Sequence, residues 1–426
     1  MSRIDKYSFF SVFLFFIYLF PTFPTFTRTT GGRLGDIFLV AIAIGLMVIY
    51  LVASRRELKF THFIYGVVVF LIFSGLIIIS IFFELSYVSI RDLFEFHKPI
   101  YILLVFFVFA SVQWDNSKIQ KYIVNNYKSI FVIVIFYSFV EAFTGGIGNF
   151  ISTTIYKSNR AILLGKATGS FGVTYFYAVF MIFSFYFFLF RYLFERKVLN
   201  LVFSLLSVIC ILASQSRTMI IVLAVSLVYL FFIYWSFEQF PNKKSFYITF
   251  FIFLGVIALS IQHILFWVES TYPYLYLGIS ALIEKGGVSE TGGGSANIRY
   301  QQLLWVIENQ SSFPLLGAGI GKATGPQLES FYALYLYRYG IIGITVYVII
   351  LIANYYYSIK CYKKAIADNS YVNASFFLAF SIFCITLPVS SISSVITDQP
   401  RFVVLYYGTL GIMLNYLYQN KKANHA

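Results

Sequence analysis

Ser214, Gln215, Ser216 and Arg217 interrupt an apolar run that otherwise extends from Val198 to about Trp235. These residue types, at this spacing, suit the holding of an anion. A serine caps the first turn of a helix, and the helix N-terminus presents free N–H groups and about half a positive charge. An arginine at that end adds a forked, permanently charged donor set that fits a carboxylate or a phosphate. The same arginine also fits a plainer role, anchoring a helix at a membrane boundary by reaching to headgroup phosphates. Both readings require the chain to turn over at 214–216. A single helix over 198–235 would be about 57 Å long, far more than a bilayer's hydrocarbon core.

Other chemistries find no support. "GAGIGKAT" (Gly317 to Thr324) approaches a phosphate-binding loop, but Leu316 stands where that motif needs glycine and Ala323 where a hydroxyl must reach magnesium. The chain has no Asp-x-Asp pair to bridge a diphosphate to a divalent metal. His62, His97, His263 and His425 lack metal-ligand spacing, and Cys210, Cys361 and Cys384 form no disulfide framework. No metal and no cofactor is expected. Among the carboxylates Glu329, just ahead of an apolar helix, is the best placed to act as a general base, although an acid at a helix start also simply favours the dipole.

The elements that must position these groups are helices in lipid. Of the 426 residues 59% are hydrophobic, 21% aromatic and 11% charged, where a soluble domain carries roughly 25% charged residues. Apolar runs at about 8–23, 36–53, 62–83, 98–112, 129–145, 171–190, 198–213, 218–235, 246–267, 331–356, 373–390 and 402–418 predict an all-α, polytopic membrane protein of about twelve spanning helices. "PTFPTFTRTT" after the first run offers no small-x-small cleavage site, so that run reads as a retained helix. The whole chain, 1–426, reads as one membrane domain, with outward loops at 146–170 and 268–330. In the second, "EKGGVSETGGGS" is glycine-rich, and "NIRYQQLLWVIENQ" sets Tyr300, Leu303, Leu304 and Ile307 on one face of an amphipathic helix, with Arg299 in its first turn.

The net charge of +14 is mostly topology rather than a signature of nucleic-acid binding. With both termini in the cytoplasm, the inner segments hold 18 of the 31 basic residues and only 6 of the 17 acids, as short basic loops require. One asymmetry is left over. Inner basic residues are mainly lysine, whereas eight of the 13 outer ones are arginine: Arg28, Arg33, Arg91, Arg160, Arg217, Arg299, Arg338 and Arg401. The outward face is thus expected to hold something anionic. The acids Glu84, Glu141 and Glu269 fall near helix ends, which disfavours a transporter coupled through mid-membrane charges.

Four stretches in order resemble the O-antigen polymerase (Wzy-type) and O-antigen ligase superfamily of integral membrane glycosyltransferases. They are "NRAILLGKATGSFGVTYFYA", "SQSRTMII", "IRYQQLLWVIENQSSFPLLGAGIG" and "ESFYALYLYRYGIIG", covering roughly residues 160–345. Glu329-Ser330 stands where ligases commonly carry His-Asn, which tilts the resemblance towards polymerase, and Arg338 stands where the family often has an acid. The resemblance implies a GT-C-like helix bundle in the inner membrane, its site facing outward. It implies metal-independent, inverting transfer of a glycan from an undecaprenyl-diphosphate carrier. Arg217 and Arg299, with Arg160 and Ser216, would hold the diphosphate, Glu329 would be the base, and Arg338 and Lys166 would support them. The implied partners are undecaprenyl-diphosphate-linked oligosaccharides, the bilayer, a chain-length regulator and a flippase. A ligase acting on lipid A core or protein is the alternative, and a polysaccharide flippase a more distant one.

Overall fold

The computed structural model describes residues 6–21, 34–54, 97–112, 114–143, 166–236, 295–309, 315–319 and 328–423, with isolated positions at 150 and between 243 and 280. Among the described residues every regular element is helical and none is a strand. Helices α1 (Lys6–Leu19), α2 (Leu34–Ser54) and α3 (His97–Ala110) come first. A short turn at Asn116–Lys118 and a π-helical turn at Ile119–Val124 lead into α4, Asn125–Phe143. Next are α5 (Thr174–Glu195), α6 (Val198–Ala213) and α7 (Arg217–Ser236), then α8 (Ser295–Asn309), α9 (Phe331–Ala367) and α10 (Tyr371–Ser390). The turn Pro400–Val403 and a second π-helical turn at Val404–Gly408 precede α11, Thr409–Ala423.

Four stretches are long and apolar enough to cross a membrane: Asn116–Glu141, Thr174–Glu195, Phe331–Ala367 and Tyr371–Ser390. Phe9–Leu19, Ile37–Val52, His97–Ala110, Val198–Ala213 and Arg217–Ile233 are shorter apolar helices. The predicted run at 62–83 and most of that at 246–267 lie outside the described residues, as does the glycine-rich stretch from Glu284.

α5 and α10 form the centre. α5 is apolar all round, "TYFYAVFMIFSFYFFLF", and is buried nearly all round against α6 and α10, as such a helix must be. α10 also packs on α7 and α9, and α3 on α11. The outer helices reverse the pattern of a soluble protein. On α6 Asn200, Ser204 and Ser207 are buried, whereas Val198, Leu205 and Ile209 are each more than half exposed. On α9 Asn354 and Ser358 face in, while Ile349 and Ile352 face out. Small polar groups inward and branched apolar groups outward suit helices whose surroundings are lipid. Buried hydroxyls find partners in pairs: Tyr127 with Ser184, Tyr186 with Ser226 and Ser138 with Tyr177, each at 2.6 Å.

α9 has 37 residues and runs eleven past the predicted apolar stretch. Its lysine-bearing end lowers the hydropathy, but Cys361, Tyr362 and Ala365 stay buried against neighbouring helices, and packing carries the helix on. The helix is broken at Gly340, which has φ 61° and ψ −160°.

Candidate functional site

The predicted reversal at Ser214–Ser216 is present. Gln215 takes a left-handed conformation (φ 52°), and its N–H donates to Leu212 O at 2.9 Å. Ser214 Oγ donates to Ile211 O at 2.6 Å and accepts the N–H of Ser216 at 3.2 Å. Ser216 O then accepts the N–H groups of Met219 and Ile220, which opens α7 and leaves Arg217 as its first residue. Arg217 is partly buried, its Nε fully so.

A second segment is built against this turn. The N–H of Ala167 donates to Ala213 O at 3.0 Å, which sets Lys166 beside the 214–216 reversal. Glu141, in the last turn of α4, braces the segment through both carboxylate oxygens. One accepts the Thr168 hydroxyl at 3.0 Å; the other accepts the N–H groups of Thr168 at 3.0 Å and Gly169 at 3.2 Å. Ser170 Oγ donates to Tyr18 O at the end of α1. Arg160, expected to support this group, lies outside the described residues.

The other predicted residues meet at the start of α9. Arg299 of α8 lies 3.8 Å from Glu329, its side chain largely buried and that of Glu329 half exposed. The Glu329 N–H donates to Gln302 Oε1 at 3.1 Å, and the Trp305 and Tyr337 rings lie 5.9 Å apart. An ion pair with one exposed member contributes at most about 1 kcal/mol, so either residue is easily drawn to a ligand. α8 turns Arg299, Gln302 and the buried Val306 to the protein. Of the predicted apolar face, Tyr300 and Ile307 are more than half exposed, whereas Leu303 and Leu304 are partly buried. A helix at a lipid boundary satisfies its apolar side outward and its polar side inward, the reverse of the arrangement in water.

"GAG" within the loop-like motif has a structural cause. The N–H of Ala318 donates to Tyr337 O at 2.6 Å, and the N–H of Ile342 donates to Leu315 O at 3.2 Å, so residues 315–318 serve the backbone groups that the α9 break releases. A Cβ on Gly317 would stand 2.6 Å from the backbone of Arg338 and Tyr339. The clasp fixes Arg338, which is buried about two turns into α9 and two residues before its break.

Arg401 departs from the expectation that the outer arginines await an anion. It is 6% exposed, and its guanidinium donates to Ile17 O at 3.1 Å, to Phe20 O at 2.6 Å and to Ser170 O. Three carbonyls and the Phe171 ring, 5.2 Å away, account for it as a structural clamp. A buried cation needs such partners wherever it sits. Sequence reasoning also missed Lys98, which lies 3.3 Å from Asp398, and Tyr335, whose hydroxyl donates to the same carboxylate at 2.8 Å. Their separations of 300 and 63 residues leave no local signal.

All these groups share one end of the bundle. The Tyr101 hydroxyl of α3 donates to Pro400 O, Phe331 N–H donates to Ser391 O, and Arg401 reaches α1 and residue 170. At the other end Asn116, Asp368, Asn373 and Tyr416 bond to one another. The Arg217 end thus presents two groups, Lys166 with Ser216–Arg217 and Arg299 with Glu329, joined by the 391–401 connection. Among the described residues no cluster of His, Cys, Asp or Glu suits a metal ion. No protein-family model matches the chain, and no characterised protein compared with it matches either.

Proposed function

We propose that the chain is a twelve-span glycosyltransferase of the inner membrane. It would join undecaprenyl-diphosphate-linked oligosaccharide units into a surface polysaccharide, such as O-antigen or capsule, at the outward face. One observation carries the reading: within the segments that resemble the O-antigen polymerase and ligase superfamily, the described residues 166–170, 214–217, 299 and 329 lie at the Arg217 end of the bundle.

Helix parity supports twelve spans. α1 ends, and α3 begins, at the Arg217 end, which is the parity of the sequence reading with α2 and one more crossing between them. α7 and α9 both begin at that end, which agrees with the single crossing that the sequence reading sets after α7. The Lys360, Lys363 and Lys364 cluster then falls on the cytoplasmic side, as short basic segments do.

The acceptor hydroxyl attacks the anomeric carbon, the carbon–oxygen bond to the diphosphate breaks, and the bonding pair leaves on the diphosphate with inversion. Arg217, at a helix N-terminus, and Arg299 face the charge that grows on the leaving group; Glu329 takes the hydroxyl proton as its hold on Arg299 is exchanged for the substrate's. Fixed guanidiniums of this kind stabilise developing charge in a site poor in water. The test is a ladder assay: purified protein in nanodiscs with the host's undecaprenyl-diphosphate repeat unit, with and without EDTA. A stepwise ladder that survives EDTA and slows by about 100- to 1000-fold in Arg217→Ala supports the reading. Transfer only after lipid A core is added would make the chain a ligase, and no transfer in either case would refute both.

A further inference from the structure

Lys98, Asp398 and Tyr335 form a constellation at the Arg217 end that the reaction above leaves without a role. Lys98 stands in the first turn of α3, Asp398 in the connection before Pro400, and Tyr335 on the half of α9 that precedes its break. The Lys98 ammonium lies 3.3 Å from Asp398 Oδ2, and Tyr335 donates to Oδ1 at 2.8 Å. The Asp398 side chain is 12% exposed and that of Lys98 25%, so the lysine is the more exposed member.

Stability gives little reason for this arrangement. Desolvating an ion pair is costly, and apolar residues of similar volume commonly do as well in its place. A lysine in the first turn of a helix also works against the dipole. Two unfavourable placements therefore coincide, and they do so at the end of the bundle that carries the two candidate groups. Asp398 lies three residues before Arg401, which holds Ser170 and the C-terminal end of α1. Tyr335 belongs to the same half-helix whose start carries Glu329.

On the lipid-diphosphate reading above, we propose that Lys98 is a further diphosphate-binding residue. Asp398 is its positioning residue, and Tyr335 fixes Asp398. An ammonium has three donors, so Lys98 serves Asp398 and a phosphate oxygen together. Arginine forks grip a diphosphate in fixed geometry, and a lysine adds a point charge.

The test measures binding of undecaprenyl diphosphate and of undecaprenol to the full chain in nanodiscs. Lys98→Met is expected to weaken diphosphate binding about tenfold, the loss of one charge-assisted contact. It also removes the Asp398 carboxylate's cation, so the decisive variant is Lys98→Met with Asp398→Asn, which has the same net charge as the wild type. That variant, compared at a temperature where both proteins are folded, is expected still to bind about tenfold more weakly. Wild-type affinity in the double variant would overturn the proposal and leave the pair structural. Amine-reactive footprinting of the unmutated protein provides a second reading: undecaprenyl diphosphate should protect Lys98 and undecaprenol should not, and equal labelling overturns the proposal. A wild-type protein that does not distinguish the two lipids would refute the lipid-diphosphate reading itself.

Discussion

Replacing Gly340 by alanine tests the clasp that shapes the start of α9. The residue has φ 61° and ψ −160°, a region where any other residue is strained by about 1–3 kcal/mol. An added Cβ would also overlap the carbonyl of Leu315 and lie 2.6 Å from the nitrogen of Gly317. These are backbone atoms, so relief requires residues 315–318 to move away. That gives up the bonds from Ile342 to Leu315 at 3.2 Å and from Ala318 to Tyr337 at 2.6 Å, each about 1 kcal/mol. The total is roughly 3–5 kcal/mol. Cys210, Cys361 and Cys384 are buried and free, so a thiol-reactive dye reports unfolding on heating without any added label. Gly340→Ala should unfold several degrees below the wild type. Gly45→Ala is the control: a Cβ there meets nothing within 4 Å, and within α2 the change should stabilise by about 0.5–1 kcal/mol. An unshifted Gly340→Ala transition would refute the argument that the clasp is rigid.

Arg401→Ala strips three main-chain carbonyls of their donor; it should cost roughly 3 kcal/mol or more, and a wild-type thermal profile would show that the clamp is dispensable. Asp115 accepts the Lys118 N–H at 2.8 Å as the cap of the turn before α4, so Asp115→Ala should lower stability by about 0.5–2 kcal/mol at neutral pH. Burial pushes its carboxyl up, but bonds from Ser117 and Lys118 and the Lys118 charge outweigh it and hold the group below its usual value. A depressed folded value contributes stability that is present above the unfolded value of about 4 and is lost as pH falls through the folded one. The gap between wild type and Asp115→Asn should therefore close in acid, and a constant gap would remove the charge from the explanation. Glu329→Gln keeps the shape but not the basicity; in the ladder assay it should lower the transfer rate by about 100-fold or more without raising the unfolding temperature, and an unchanged rate would send the search for the base to other carboxylates.

The helices were legible because lipid imposes a local rule: an apolar run of sufficient length becomes helical whatever it packs against. The reversal at Ser214–Ser216 was legible for the same reason, since one helix over both runs would be too long. The break at Gly340 was not, because a lone glycine in an apolar run is compatible with an unbroken helix; only the approach of Leu315–Ala318 makes its conformation necessary. That Arg299 and Gln302 of α8 face the protein was not legible, because spacing marks an apolar face without saying what it meets. Arg401 opens an apolar run as Arg217 does, and nothing local in the sequence shows that its guanidinium is taken up by carbonyls 231–384 residues away. Residue type indicated an anion-binding end; long-range partners decide which cations belong to it.

The most direct measurement is a cryo-EM map of the protein in nanodiscs loaded with undecaprenyl diphosphate. The account predicts diphosphate density at the Arg217 end, in contact with Arg217 and Arg299, with Glu329 released from Arg299. Diphosphate density at the Asn116–Tyr416 end, or anywhere beyond reach of both arginines, would contradict it.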